Sequence, residues 1–160
     1  MVIRRLGIDD FDILRTIRLE ALRSDPHAFG STLEREEGRA DADWRAWLGR
    51  GATFVAELDD GPVGLVVAMP DEDPATVGLY AMFVAERARR RGLGRQLVDA
   101  AVEWAASTGA AHASLMVIDG NEPAATLYES CGFAYTGESH LRERDGAREL
   151  AMSRVIRTER

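Results

Sequence analysis

Between Val77 and Thr108 the hydrophobic pattern switches from one period to another across an arginine-rich, glycine-containing turn. Val77 to Val84 is apolar at almost every position, the pattern of a central strand buried on both faces. From Gly92 to about Thr108, Leu93, Leu97, Ala101, Trp104 and Ala105 recur at helical spacing, and Gly109 stands where such a helix would end. The joint reads Val84-Ala85-Glu86-Arg87-Ala88-Arg89-Arg90-Arg91-Gly92-Leu93-Gly94-Arg95. A strand that turns through glycines into a helix makes an anion site. The first N–H groups of the helix have no internal partners, and its dipole favours negative charge there. Glycine lets backbone approach phosphate closely, and arginine adds charge and donors. A run of arginines is more often a solvated face, so the turn alone leaves both readings open. A dinucleotide-binding turn fails on two counts: Leu97 stands where the third glycine belongs, and the turn falls late in the chain.

The remaining pattern sets the element order. Val2 to Leu6 reads as a strand, and Asp9 as the N-cap of a helix carrying Ile13, Leu14, Ile17, Ala21 and Leu22, which stops near Pro26. Residues 26–32 form a loop, and residues 33–49 a charged helical region with Trp44 and Trp47 on one face as core staples. Strands are expected at Thr53 to Leu58, Val63 to Met69, Val77 to Val84 and Ala113 to Ile118, and a short helix from Pro123 to Ser130 ends at Gly132. Two last strands, roughly 133–142 and 147–155, hinge at Asp145 and Gly146. The order is strand, two helices, three strands, helix, strand, helix, two strands: an α/β chain with one mixed sheet, expected to be a single domain over residues 1–160.

Composition narrows the function. The net charge of -7 argues against a nucleic-acid-binding protein and favours cationic partners. No apolar run approaches the ~18 residues of a membrane span, and the start carries no signal-peptide pattern. The single Cys131 permits no internal disulfide, which fits a reducing compartment, so a cytoplasmic location is expected. Cys131 itself reads as a small buried apolar residue. His27, His112 and His140 are too scattered for a structural zinc site, and no metal is expected.

Arg89-Arg90-Arg91-Gly92-Leu93-Gly94 resembles motif A of the GNAT acetyltransferases, R/Q-x-x-G-x-G/A, and Leu79 to Val84 resembles the strand that leads into it. Asn121-Glu122-Pro123-Ala124-Ala125-Thr126-Leu127-Tyr128-Glu129-Ser130-Cys131-Gly132-Phe133 is similar to the family's second signature, N-x-x-A-x-x-L-Y-x-x-x-G-F, at every fixed position, and begins 27 residues after Gly94. The resemblance covers about residues 76–135. It implies a mostly antiparallel central sheet flanked by helices, and acetyl-CoA as cosubstrate. It implies cofactor contacts from Met82, Phe83, Val84, Arg89, Arg90, Arg91, Gly92, Leu93, Gly94, Arg95, Asn121 and Tyr128, with Tyr128 as the acid that protonates the leaving thiolate. Many members have proline where Glu86 stands and glycine where Arg90 stands. Without the motif, Asn121 reads as a helix cap with no other role, and Tyr128 reads equally as plain core.

The acceptor implied is a primary amine of a small molecule or peptide; the alternative is a CoA-binding regulatory domain with little turnover. Some members carry a glutamate base five residues before the asparagine, but Met116 stands there, so the base is unassigned. Glu34, Glu36 and Glu37 are candidates, with Phe29, Glu34 and Tyr80 expected to border the acceptor. A homodimer is compatible with all of this.

Overall fold

The computed structural model describes residues 1–156. Its strands are β1 (Val2–Arg5), β2 (Ala52–Leu58), β3 (Gly61–Pro70), β4 (Thr76–Val84), β5 (His112–Ile118), β6 (Ala134–Leu141) and β7 (Arg148–Val155). Its helices are α1 (Phe11–Ser24), α2 (Leu33–Glu37), α3 (Asp41–Leu48), α4 (Leu93–Ser107) and α5 (Glu122–Ser130). The strands form one sheet in the order β1-β2-β3-β4-β5-β7-β6, antiparallel at every pairing except β4 with β5.

β3 is buried at every position from Val63 to Ala68, so both faces of the sheet must be covered there. α4 covers one face: a Cβ on Gly64 would come within 2.9 Å of Leu97 Cδ1. The stripe Leu93, Leu97, Val98, Ala101, Val102 and Ala105 is buried on that side. α1 covers the other face with Leu14, Ile17, Ala21 and Leu22. Each fully buried leucine contributes about 1.5–3 kcal/mol.

Two local expectations change. The helical region at 33–49 is two helices, broken at Gly38 to Ala40, where the Asp43 carboxylate accepts from the Ala40 N–H at 2.9 Å and starts α3 afresh. At the start of α1 the capping residue is Asp10 and not Asp9. Its carboxylate accepts from the Gly7 N–H at 2.8 Å, and a single 3-10 turn precedes the helix.

The parallel pairing of β4 and β5 determines where a ligand can enter. It lasts only from Thr76–His112 to Gly78–Ser114, after which the two strands part. The cause lies in β4. Its register against β3 slips between Leu65–Phe83 and Val67–Tyr80, placing an extra residue on β4, and Ala81 within that bulge has φ 58°. A bulge bends and twists its strand, and a left-handed alanine is strained by about 1 kcal/mol. Pairing with β3 on one side and the parting from β5 on the other leave a wedge in the middle of the sheet. Among the described residues no helix is long and apolar enough to cross a membrane.

Candidate active site

The wedge opens into a cavity of about 880 Å³. β4 lines it with four consecutive residues, Leu79, Tyr80, Ala81 and Met82, the last two within the bulge. Across from β4, Leu115 and Met116 of β5, Tyr128 of α5 and Glu149 of β7 complete the wall. The α1–α2 loop contributes Phe29, Gly30 and Ser31, and α3 contributes Trp47. That loop is strapped down by the β6–β7 turn. Arg142 donates to the His27 carbonyl at 2.8 Å and Arg144 to the Phe29 carbonyl at 2.7 Å, while Asp145 pairs with Arg142 at 2.7 Å.

Of the acceptor-side residues expected from sequence, Phe29 and Tyr80 reach the cavity and Glu34 does not: it is exposed on α2. A two-residue step on a helix turns by about 200°, so Glu36 is the one that faces inward, with 1% exposure. Glu36 is bound bidentately by Arg18 at 2.8 and 2.9 Å. Burial works to raise its pKa, but the Arg18 hydrogen bonds and charge, aided by Ser31 and Arg39, outweigh burial and hold it below the usual carboxylate value. A carboxylate held that way is a structural anion and not a base. Arg18 lies 5.0 Å from the Phe29 ring and 5.3 Å from the Trp47 ring, so the ion pair sets the position of two cavity-lining aromatics.

Tyr128 is 8% exposed and packs edge-on against Phe133 with ring centres 6.3 Å apart. Burial, with the neighbouring Cys131 thiol adding a smaller effect, pushes its phenol up to about 12. It therefore holds its proton throughout the neutral range. Burial also raises the Cys131 thiol, which no histidine contacts, in keeping with a packing role. Tyr80 is half-exposed, its ring laid over Gly78, where an added Cβ would come within 2.6 Å of the phenol oxygen.

The glycine turn lies at the end of β4, outside the cavity. The Gln96 N–H makes the first bond of α4, to the Gly92 carbonyl at 3.1 Å, so the N–H groups of Leu93, Gly94 and Arg95 have no partner in the helix. Gly92 has φ 76°, and no atom lies within 4 Å of where its Cβ would be, so its glycine serves backbone conformation beside open space. Gly94 is different. Its Cβ would meet Leu127 Cδ2 at 3.0 Å and Met82 Cε at 3.4 Å, so this glycine lets the helix start pack on both α5 and β4. Arg90 is left-handed at φ 67°, a conformation natural to glycine, which accounts for the glycine that many similar turns carry there. Arg89 folds back to the Val84 carbonyl at 2.9 Å, and Arg87 is tied to Glu20 at 2.9 Å. Arg90, Arg91 and Arg95 are exposed. Phe83 faces the core at 6.4 Å from Phe29, and Val84 leads into the turn. Asn121 caps α5, its side-chain oxygen accepting from the Ala124 N–H at 3.3 Å, which commits one end of its amide.

The polar and aromatic cavity residues that the sequence did not point to include Arg18, Arg35, Arg39, Asp43, Trp47, Arg50 and Glu149. One signal was available: Arg18 sits on the apolar stripe of α1 beside Ile17 and four residues after Leu14, where an arginine needs a buried partner. Trp44 is wholly buried as a staple should be, but Trp47 turns to the cavity.

Sequence comparison matches residues 16–133 to the model of the acetyltransferase (GNAT) family. N-acetyltransferase 8 of Homo sapiens is 35% identical over 95 residues, which are 56% of this chain and 42% of that protein. The chain spans less than half the length of this relative and of its rat counterparts. An acetyltransferase of the GNAT family from Streptococcus pneumoniae superposes with a TM-score of 0.82 at 21% identity, over 98% of this chain and 99% of that one. The Salmonella typhimurium protein yncA, solved with its cofactor acetyl-CoA, superposes with a TM-score of 0.80 at 18% identity, over 100% of this chain and 96% of that one. The two low-identity structures speak for the fold, and the family match spans the bulged strand, the glycine turn and the helix that carries Tyr128: the chain belongs to the acetyltransferase (GNAT) family.

Proposed function

We propose that the protein transfers an acetyl group from acetyl-CoA directly to a primary amine. The observation that carries this reading is the wedge between β4 and β5: a strand edge free of its neighbour, ending in a turn with unpartnered N–H groups, with Tyr128 across the gap. These features fit the group. The N–H groups of Leu93, Gly94 and Arg95 would hold the diphosphate. The freed edge of Leu79 to Val84 would pair with the pantetheine amides. Acetyl-CoA, when bound there, supplies an activated acetyl thioester at the end of that arm.

The chain's own groups then manage protons. Two carboxylates line the cavity, Asp43 and Glu149. Asp43 is occupied in capping α3. Glu149 shares a sheet face with Met116: it pairs with Ile118, and its neighbour Ala151 pairs with Met116. It is our choice for the group that takes a proton from the amine, directly or through water. As the amine nitrogen bonds the acetyl carbon, the carbon–sulfur bond breaks, and Tyr128 gives its proton to the departing sulfur. The alternative, a CoA sensor without turnover, drew support from the lack of an obvious base, and Glu149 in the cavity wall is a candidate for that role.

Calorimetric titration of CoA tests the cradle. Gly92→Pro cannot adopt φ 76°, and Gly94→Pro deletes a free N–H and crowds Leu127. Both should abolish CoA binding, whereas Arg90→Ala should weaken it only a few-fold, about 1 kcal/mol or less for an exposed cation. Unchanged affinity in the proline variants would overturn the assignment.

A further inference from the structure

The charge inside the cavity is opposite to that of the chain. In a protein of net charge -7 the cavity is lined by four arginines, Arg18, Arg35, Arg39 and Arg50, against two carboxylates, Asp43 and Glu149. Only Arg18 has a full partner, in Glu36; Arg39 shares that carboxylate at 3.6 Å. Arg35 and Arg50 are exposed and make no side-chain ion pair among the described residues. Arg18 is 6% exposed and already occupied: Glu36 binds it bidentately and the Phe29 and Trp47 rings lie against its guanidinium, which leaves Arg35, Arg39 and Arg50 as the cations the cavity offers a ligand. None of these arginines belongs to the glycine turn, so the demands of CoA phosphates do not explain them.

We propose, building on the acetyltransferase reading, that the acceptor amine also carries a carboxylate, as an amino acid or short peptide with an apolar side chain does, and that Arg35, Arg39 and Arg50 receive that carboxylate. Planar guanidinium groups match a carboxylate in shape and charge. The excess of positive charge is small once Glu36, Asp43 and Glu149 are counted, which suits a monoanion better than a phosphate dianion. Glu149 faces the same cavity and supplies the complementary partner for the ammonium, so a zwitterion is matched at both ends. Trp47, Phe29, Met69 and Met116 leave an apolar surface between them for the side chain. The expectation from overall charge, a cationic acceptor, is thereby reversed at the site itself.

The test uses matched probes in a thiol-release assay: L-phenylalanine and L-methionine, each with its amide and its decarboxylated amine, plus the phosphonate analogue of phenylalanine. The carboxylates should exceed their amides in kcat/KM by about tenfold or more. The double variant Arg35→Gln/Arg50→Gln, exposed at both positions, should erase that preference by raising KM for the carboxylates while KM for acetyl-CoA stays within about twofold. Binding supplies a readout free of turnover: N-acetyl-L-phenylalanine should bind the wild-type protein about tenfold more tightly than its amide, and the double variant should bind the two alike. Amides or decarboxylated amines that match the carboxylates would overturn the proposal, as would a phosphonate preferred about tenfold or a loss in the variant shared by all acceptors. Failure of acetyl-CoA itself to bind would instead overturn the acetyltransferase reading, and the product-binding comparison would still decide the arginine site.

Discussion

Tyr128→Phe should lower turnover by about a hundredfold or more while the fold and CoA affinity survive. The substitution keeps the ring, and the ring is what packs against Phe133 at 6.3 Å. The hydroxyl makes no hydrogen bond to a protein group among the described residues, so its loss should leave melting temperature nearly unchanged. A tyrosine kept only for packing would therefore show no effect in either measurement. The phenol's raised pKa has a sign that can be checked. Folding lifts it from 10.0 to about 12, so the folded protein holds a proton that the unfolded chain releases. Its contribution to stability is fully present below pH 10 and is lost as pH rises through the value in the fold. Activity limited by this acid should accordingly show no alkaline fall between pH 8 and pH 10 (roughly the range below the phenol's raised value). Single-turnover measurement of thiol release guards against product release masking the step. Full single-turnover activity in the variant would mean that the sulfur leaves unassisted or takes its proton elsewhere.

The largest effect on stability should come from Glu36→Ala. Glu36 is 1% exposed and Arg18 is 6% exposed, so the substitution strands a buried guanidinium. Breaking one partner out of a buried pair costs about 3–5 kcal/mol, which for a chain of this size lowers Tm by about 10 °C. Replacing the pair together, Arg18→Met with Glu36→Leu, should cost far less, because no charge is left without a partner. Because folding lowers the Glu36 pKa from 4.5, its contribution is present above pH 4.5 and is lost as pH falls through the value in the fold. The wild-type protein should therefore lose stability on acidification more steeply than the double variant. Urea titrations of the three proteins across that range check both statements, and a Glu36→Ala protein as stable as wild type would contradict them.

What the sequence made legible was local. The strand, turn and helix around Gly92, and the helix Glu122–Ser130 that carries Tyr128, are each encoded within a dozen or so neighbouring residues, and each is where the pattern places it. Even the departure at Arg90 has a local meaning, since its φ of 67° is the one glycine would take. The cavity wall was not legible because it is assembled from separate elements. Arg18 and Glu36 are 18 residues apart, and Glu149 lies 33 residues beyond Met116, yet each pair meets in space or shares a sheet face. Glu34 was the natural candidate by charge and position, but helical geometry turns Glu36 inward instead. The bulge at Ala81 left no mark either, since an alanine in an apolar strand gives no hint of positive φ.

We place acetyl-CoA in the wedge between β4 and β5, with the glycine turn at its end, and a crystal structure of the protein with CoA is the decisive measurement. The diphosphate should lie against the N–H groups of Leu93, Gly94 and Arg95, the pantetheine beside the free edge of Leu79 to Val84, and the sulfur within reach of the Tyr128 hydroxyl. CoA found on any other face, or in the wedge with its sulfur pointing away from Tyr128, would contradict it.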